Sequence, residues 1–153
     1  MTTPDLAVKI KRLDPQVEIP SYSRAGDAGM DLHAAEDAVL APFERKLIPC
    51  GFALALPSGY GAFVLPRSGL AARHGISIVN APGLIDSNYR GEIKVVLVNL
   101  DPRESFEVKR NDRIAQMLIM PVPPVAFEIC DDLDETERGA AGFGSSGLGV
   151  AGK

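Results

Sequence analysis

Residues 45–65 read RKLIPCGFALALPSGYGAFVL. Apolar runs at 45–48, 51–56 and 60–65 are parted by Pro57-Ser58-Gly59, where a fixed φ and a permissive glycine reverse the chain. None of these runs has the length of an ordinary helix, and none carries an apolar stripe at helical period. Similar runs follow in both directions. Residues 6–13 set Leu6, Val8 and Ile10 against Lys9 and Lys11, a two-residue period that predicts a strand with one wet face. Others fall near 39–41, 76–79, 92–99, 105–109, 113–120 and 125–130, with turns at Ala41-Pro42, Ala81-Pro82-Gly83 and Asp101-Pro102. Short strands at this spacing predict an all-β sandwich or barrel. The one helix expected is a turn or two at Leu70–His74, bounded by Gly69 and Gly75.

The 153 residues suit a single domain, which at this size buries about two thirds of its unfolded surface. Hydrophobic residues at 46% and charged residues at 24% exclude disorder of the whole chain. The net charge of −4 argues against a nucleic-acid backbone as the main partner, while leaving room for a small anion in a local basic pocket. No apolar run is long enough to span a membrane, and the first residues carry no secretory pattern, so a soluble cytoplasmic protein is expected. Cys50 and Cys130 are too few for a metal cluster, and both are expected to be buried small hydrophobes. From Arg138 the composition changes to RGAAGFGSSGLGVAGK, with six glycines in 16 residues, a tail that cannot bury enough surface to fold alone.

Residues with chemical potential gather at turns and strand ends. In RAGDAGMDLHA, 24–34, Asp27 suits an Asx-type turn, while Asp31 can face a site from a strand end. In VLPRSGLAARHG, 64–75, a strand runs into Arg67, Ser68 and Gly69 before the short helix. Free backbone N–H groups, a guanidinium fork and a hydroxyl there suit phosphate; alternatively Ser68 is a cap and Arg67 a surface ion pair. Residues 79–99, VNAPGLIDSNYRGEIKVVLVN, read as a hairpin whose turn spans Asn80 to Arg90 and places Asp86 after Leu84 and Ile85. A carboxylate there can orient a water as general base, and Tyr89 offers a flat wall; a purely structural Asn–Asp turn is the alternative. Gln116, inside the apolar run of RNDRIAQMLIMP, must find partners for its amide or face a site.

Five segments in this order resemble the motifs of the homotrimeric dUTPases: AGDAGMDL at 25–32, PRSGLA at 66–71, GLIDSNYRGE at 83–92, DRIAQM at 112–117 and RGAAGFGSSG at 138–147. The resemblance implies a jelly-roll-like β-barrel of the dUTPase-like β-clip kind, with residues 1–133 as the catalytic barrel and 134–153 as a flexible arm. It also implies a trimer whose sites each draw motifs from two subunits and the arm of a third. The reaction implied is Mg²⁺-dependent hydrolysis of dUTP to dUMP and pyrophosphate, limiting uracil in DNA and supplying the thymidylate precursor.

Residue by residue, the resemblance makes Asp86 the group that activates water for in-line attack on the α-phosphorus, and also a contact of the sugar 3′-hydroxyl. Tyr89 would pack under the deoxyribose. Asn80, with Gly83, Leu84, Ile85 and nearby Lys94, would read the uracil edge. Arg67, Ser68, Gly69 and Gln116 would bind phosphates, Gln116 through the water network as well. Asp31 would meet magnesium through coordinated water. Arg138 would clamp the γ-phosphate and Phe143 would lie over the uracil, while Gly144, Ser145 and Ser146 would close on the phosphates. Arg113 would support the site. Asn111 departs from the family, which has glycine there, and strain in that turn is expected. A dCTP deaminase shares the fold and phosphate motif, and a non-catalytic nucleotide sensor is a further alternative. The hydrolytic motif around Asp86 and the full aromatic arm argue against both.

Overall fold

The computed structural model describes residues 6–141. The elements run β1 Lys9–Arg12, β2 Met30–His33, β3 Ala38–Leu40, β4 Arg45–Ala55, β5 Tyr60–Leu65, α1 Ser68–His74, β6 Ile76–Ile78, β7 Gly83–Ile85, β8 Glu92–Asn99, β9 Phe106–Val108 and β10 Arg113–Pro121. Two four-stranded antiparallel sheets, β1-β4-β8-β6 and β2-β10-β5-β7, are joined by a two-stranded ribbon, β3-β9. Alternation along β8, with Ile93, Val95, Leu97 and Asn99 buried, shows one covered and one wetter face. Both sheets send residues into one core that includes Leu32, Ile48, Phe52, Ile76, Ile93, Leu97, Ile114 and Met117. Removing the Phe52 side chain from that core should cost about 3–5 kcal/mol.

The all-β reading holds, and the short helix begins two residues earlier than expected. Four details differ. The runs 45–48 and 51–56 form one strand, β4, bent by a register shift between Pro49 and Ala53. Gly51 sits in that bend at φ 72, and its carbonyl accepts from both Leu13 and Asp14 N–H. β1 is exposed along all four residues, so no buried face forms there within one chain. Residues 125–130 have strand periodicity but no strand, because no partner strand is offered among the described residues. Val125, Phe127 and Ile129 are 72%, 95% and 98% exposed. Cys50 is buried as expected, whereas Cys130 is exposed. Burial, with Glu92 beside it, pushes the Cys50 thiol up to about 12.

Asn111 explains its own departure. It adopts φ 69, a conformation asparagine tolerates, and its side chain ties down the 14–18 loop. Nδ2 donates to the Gln16 carbonyl at 3.0 Å and Oδ1 accepts from Glu18 N–H at 3.3 Å. The side-chain bonds occupy a loop that a glycine would leave free.

Candidate active site

The expected turn between Asn80 and Arg90 contains a strand, β7, which leaves its own hairpin to pair with β5 in the other sheet. The segment thus bridges the two sheets. Val64, Ile78, Asn80, Gly83, Leu84, Ile85 and Lys94 line a slot of about 60 Å³ between them. Ile85, Asp86, Tyr89 and Lys94, with Leu47, Leu84, Glu92 and Ile93, line a neighbouring cavity of about 300 Å³. Backbone polar groups at the slot, an amide from Asn80 and an ammonium from Lys94 form a set that can recognise a planar polar heterocycle. Asp86 is exposed at the rim rather than buried among apolar groups. Its backbone carbonyl accepts from Tyr89 N–H at 3.1 Å, which closes the turn beneath it.

A second cluster lies where β2, β5 and β10 end. Arg67 precedes α1, and no side chain caps that helix, so Ser68 is its first residue rather than its cap and Gly69 follows in the first turn. The Arg67 guanidinium is held by two bonds: Nε lies 3.0 Å from Asp31 Oδ1, and Nη1 donates to the Arg113 carbonyl at 3.0 Å. Arg113 Nη1 reaches the other Asp31 oxygen at 3.4 Å, and Ser23 Oγ donates to it at 3.3 Å. Gln116 Nε2 donates to the Pro66 carbonyl at 2.9 Å, giving the half-buried amide its partner. Gly29 supports it, for a Cβ there would lie 2.8 Å from Gln116 Oε1. The cluster therefore holds two guanidiniums in fixed orientation around one carboxylate, a geometry suited to phosphate oxygens.

The two groups of residues do not meet within the chain. Ile85 pairs with Ala62 near the start of β5, whereas Gln116 pairs with Leu65 at its end, beside Arg67. At about 3.3 Å per residue, the strand separates Asp86 from Arg67 by roughly 15–20 Å. Neither cavity lined by Asp86 includes Arg67, Ser68 or Gln116.

Of the other expected residues, Arg138 is exposed and, among the described residues, bonds within its own turn, Nε donating to the Ala141 carbonyl at 3.0 Å. Phe143, Gly144, Ser145 and Ser146 lie outside the described residues. Asp27 makes the expected Asx-type turn, accepting from Arg24 N–H at 2.8 Å. His33 is buried against Glu18, with 3.7 Å between Nε2 and the carboxylate, and His74 packs on Phe106 at 5.3 Å between ring centroids. Sequence reading missed Gly29, Glu92 and Leu47. Gly29 stands two residues from each of the acidic positions Asp27 and Asp31, but the neighbour that requires its lack of a side chain, Gln116, is remote in sequence.

The sequence model of the dUTPase family matches residues 15–147. The chain belongs to the dUTPase family. Among the family's members, a deoxyuridine 5′-triphosphate nucleotidohydrolase of Thermobifida fusca is 56% identical over 145 residues, covering 95% of this chain and 81% of the relative. One from Corynebacterium glutamicum is 55% identical over 141 residues, covering 92% and 95%. Among solved structures, a dUTPase of Staphylococcus bacteriophage 80alpha with dUPNHPP superposes with a TM-score of 0.84 at 26% identity, covering 93% of this chain and 99% of that one. The dUTPase of phage phi11 of S. aureus, solved as a variant with a coordinated structural Mg(II) ion, shares the fold with a TM-score of 0.78 at 21% identity. That match covers 85% of this chain and 100% of the other. No helix among the described residues is long and apolar enough to cross a membrane.

Proposed function

We propose that the protein hydrolyses dUTP to dUMP and pyrophosphate at sites shared between the subunits of a homotrimer. The observation that carries the activity is one bridging segment that brings the Asn80–Gly83 slot, Tyr89, Lys94 and Asp86 together, in a chain of the dUTPase family. In this reading uracil enters the slot, where Asn80, Lys94 and the backbone of Gly83, Leu84 and Ile85 pair with its edge. Cytosine would leave buried polar groups unpaired and is rejected for that reason. Tyr89 lies under the deoxyribose. Asp86 takes a proton from a water as its oxygen attacks the α-phosphorus; the bond to the bridging oxygen breaks, and pyrophosphate leaves in line.

Arg67, Ser68, Gly69 and Gln116 bind the phosphates from a second subunit, with Arg113 holding Arg67 in place. The separation along β5 favours this division, since one chain cannot bring Asp86 and Arg67 to the same phosphate. The exposed alternation of Val125, Phe127 and Ile129 also favours assembly, since so much apolar surface suits an interface. In this reading, Arg138 clamps the γ-phosphate, Phe143 covers the base, and Gly144, Ser145 and Ser146 close on the phosphates of a site in the trimer. A division into a catalytic barrel, 1–133, and an arm, 134–153, and a cytoplasmic location belong to the same proposal.

For magnesium the donor set fits an indirect role. Both Asp31 oxygens are engaged by guanidiniums, and no group of three or more His, Cys, Asp or Glu residues suited to a metal occurs among the described residues. Asp31 would therefore hold the ion through water, with the remaining ligands supplied by phosphate oxygens and solvent. When bound, magnesium neutralises phosphate charge and orients the triphosphate.

The test is pyrophosphate release from dUTP, dCTP, dTTP and UTP side by side, with magnesium. Release from dUTP alone is expected. Equal release from all four would remove the base and sugar filters, and none from any would remove the hydrolase. Release of ammonia from dCTP would favour the deaminase.

A further inference from the structure

Tyr89 folds back across the backbone of Gly91. A Cβ at Gly91 would collide with the Tyr89 hydroxyl oxygen and lie 2.5 Å from Cζ and 2.9 Å from Cε2. Non-bonded heavy atoms pack best at about 3.5–4.0 Å, so the ring and any side chain at this position exclude each other. Gly91 is not in the left-handed region, so the glycine is required here for space rather than for its conformational freedom.

The folded-back ring is secured at several points. Its hydroxyl donates to the Glu92 carbonyl at 3.1 Å. Glu92 is anchored in turn, for its carboxylate accepts from Gly51 N–H in the β4 bend at 3.0 Å. Arg90 Nη1 donates to the carbonyls of Ser87 at 2.7 Å and Tyr89 at 2.8 Å, clasping the turn from outside. Held this way, the ring forms one wall of the cavity it shares with Asp86 and Lys94.

We propose that Gly91 is a specificity-determining residue: by carrying no side chain it seats the Tyr89 ring, and so fixes how much room the sugar has at its 2′ carbon. This rests on the reading of Tyr89 as the wall beneath the deoxyribose. A methyl group at position 91 breaks the hydroxyl's bond to Glu92 and dislodges the ring, while leaving Asp86, the Asn80 slot and the phosphate cluster untouched. The loss falls on discrimination between deoxyribose and ribose rather than on hydrolysis itself.

The test compares kcat/KM for dUTP and UTP in the wild type, Tyr89→Ala, Gly91→Ala and the double variant, with thermal melting of each. Tyr89→Ala should lower the dUTP preference, and Gly91→Ala should lower it by roughly 10- to 100-fold, the range of discrimination a pocket wall can give. In the double variant the second change should add nothing, because the ring it displaces is already gone. A preference lowered by Tyr89→Ala but unchanged by Gly91→Ala would overturn the role of Gly91 alone. A preference unchanged by Tyr89→Ala would overturn the wall and the inference with it. Should Gly91→Ala fail to fold, a double variant melting like Tyr89→Ala supports the contact, and one that also fails to fold overturns it.

Discussion

The two halves of the site are built in opposite ways. The half around Asn80, Gly83, Asp86 and Tyr89 is formed by one segment that bridges two sheets, with its turn closed by Arg90 and Tyr89 bonds and its open cavities lined by residues of one chain. The half around Arg67, Ser68 and Gln116 stands at strand ends, and its charges are satisfied by one another through Asp31. The first can select a ligand by shape before any partner arrives. The second presents oriented cations that, among the described residues, stand apart from Asp86. In the proposed function this contrast corresponds to a division of labour, with selection of base and sugar assigned to one subunit and binding of the phosphates to another.

The sharpest way to break this contrast is at Asp86. Asp86→Asn should lower kcat by roughly 10²- to 10⁴-fold while leaving affinity for an uncleavable dUTP analogue within a few-fold. Near-normal turnover would remove Asp86 as the base. Truncation before Arg138 should leave a folded protein whose activity is down on the order of 10²-fold, measured by pyrophosphate release and melting together. An active truncation would sink the closing role of the arm. Arg67→Ala should raise KM for dUTP by roughly 10- to 100-fold, since bonds to charged groups contribute about 1.5–3 kcal/mol, yet change dUMP affinity much less. Equal losses for both would mean the halves are not separable.

The smallest effect concerns stability. The Cys50 thiol titrates near 9.0 when unfolded and is pushed up to about 12 by burial in the fold. Its contribution is complete below pH 9.0 and is lost as pH rises toward about 12. The melting temperature of the wild type should therefore fall more steeply across that range than that of Cys50→Ala. Parallel slopes would show that burial does not hold the thiol protonated.

Much of the fold was legible because its strands alternate or are bounded by Pro and Gly. The strand β7 was not, since three residues of a bridging loop carry no period, and their partner β5 lies about 20 residues earlier. Residues 125–130 misled for the converse reason, having a strand's period without a partner strand among the described residues. Around the site, the acidic, basic and amide residues stood out by type and order. What sequence did not carry was contact: Asp31 engaged by two guanidiniums, Gly29 behind Gln116, and Glu92 anchored to Gly51. Each of these joins residues separated by tens of positions, where no local pattern marks the pair.

The most direct test of a site divided between subunits is complementation. Asp86→Asn and Arg67→Ala chains are unfolded together in equal amounts, refolded and assayed for pyrophosphate release at a dUTP concentration far below the raised KM of Arg67→Ala, where each variant alone is nearly inactive. Random assembly pairs an intact Asp86 with an intact Arg67 from its neighbour in about a quarter of the sites, so activity should recover to about a quarter of the wild-type value. Activity no higher than the mean of the two separate variants would contradict the shared site, and with it the division of labour between the two halves.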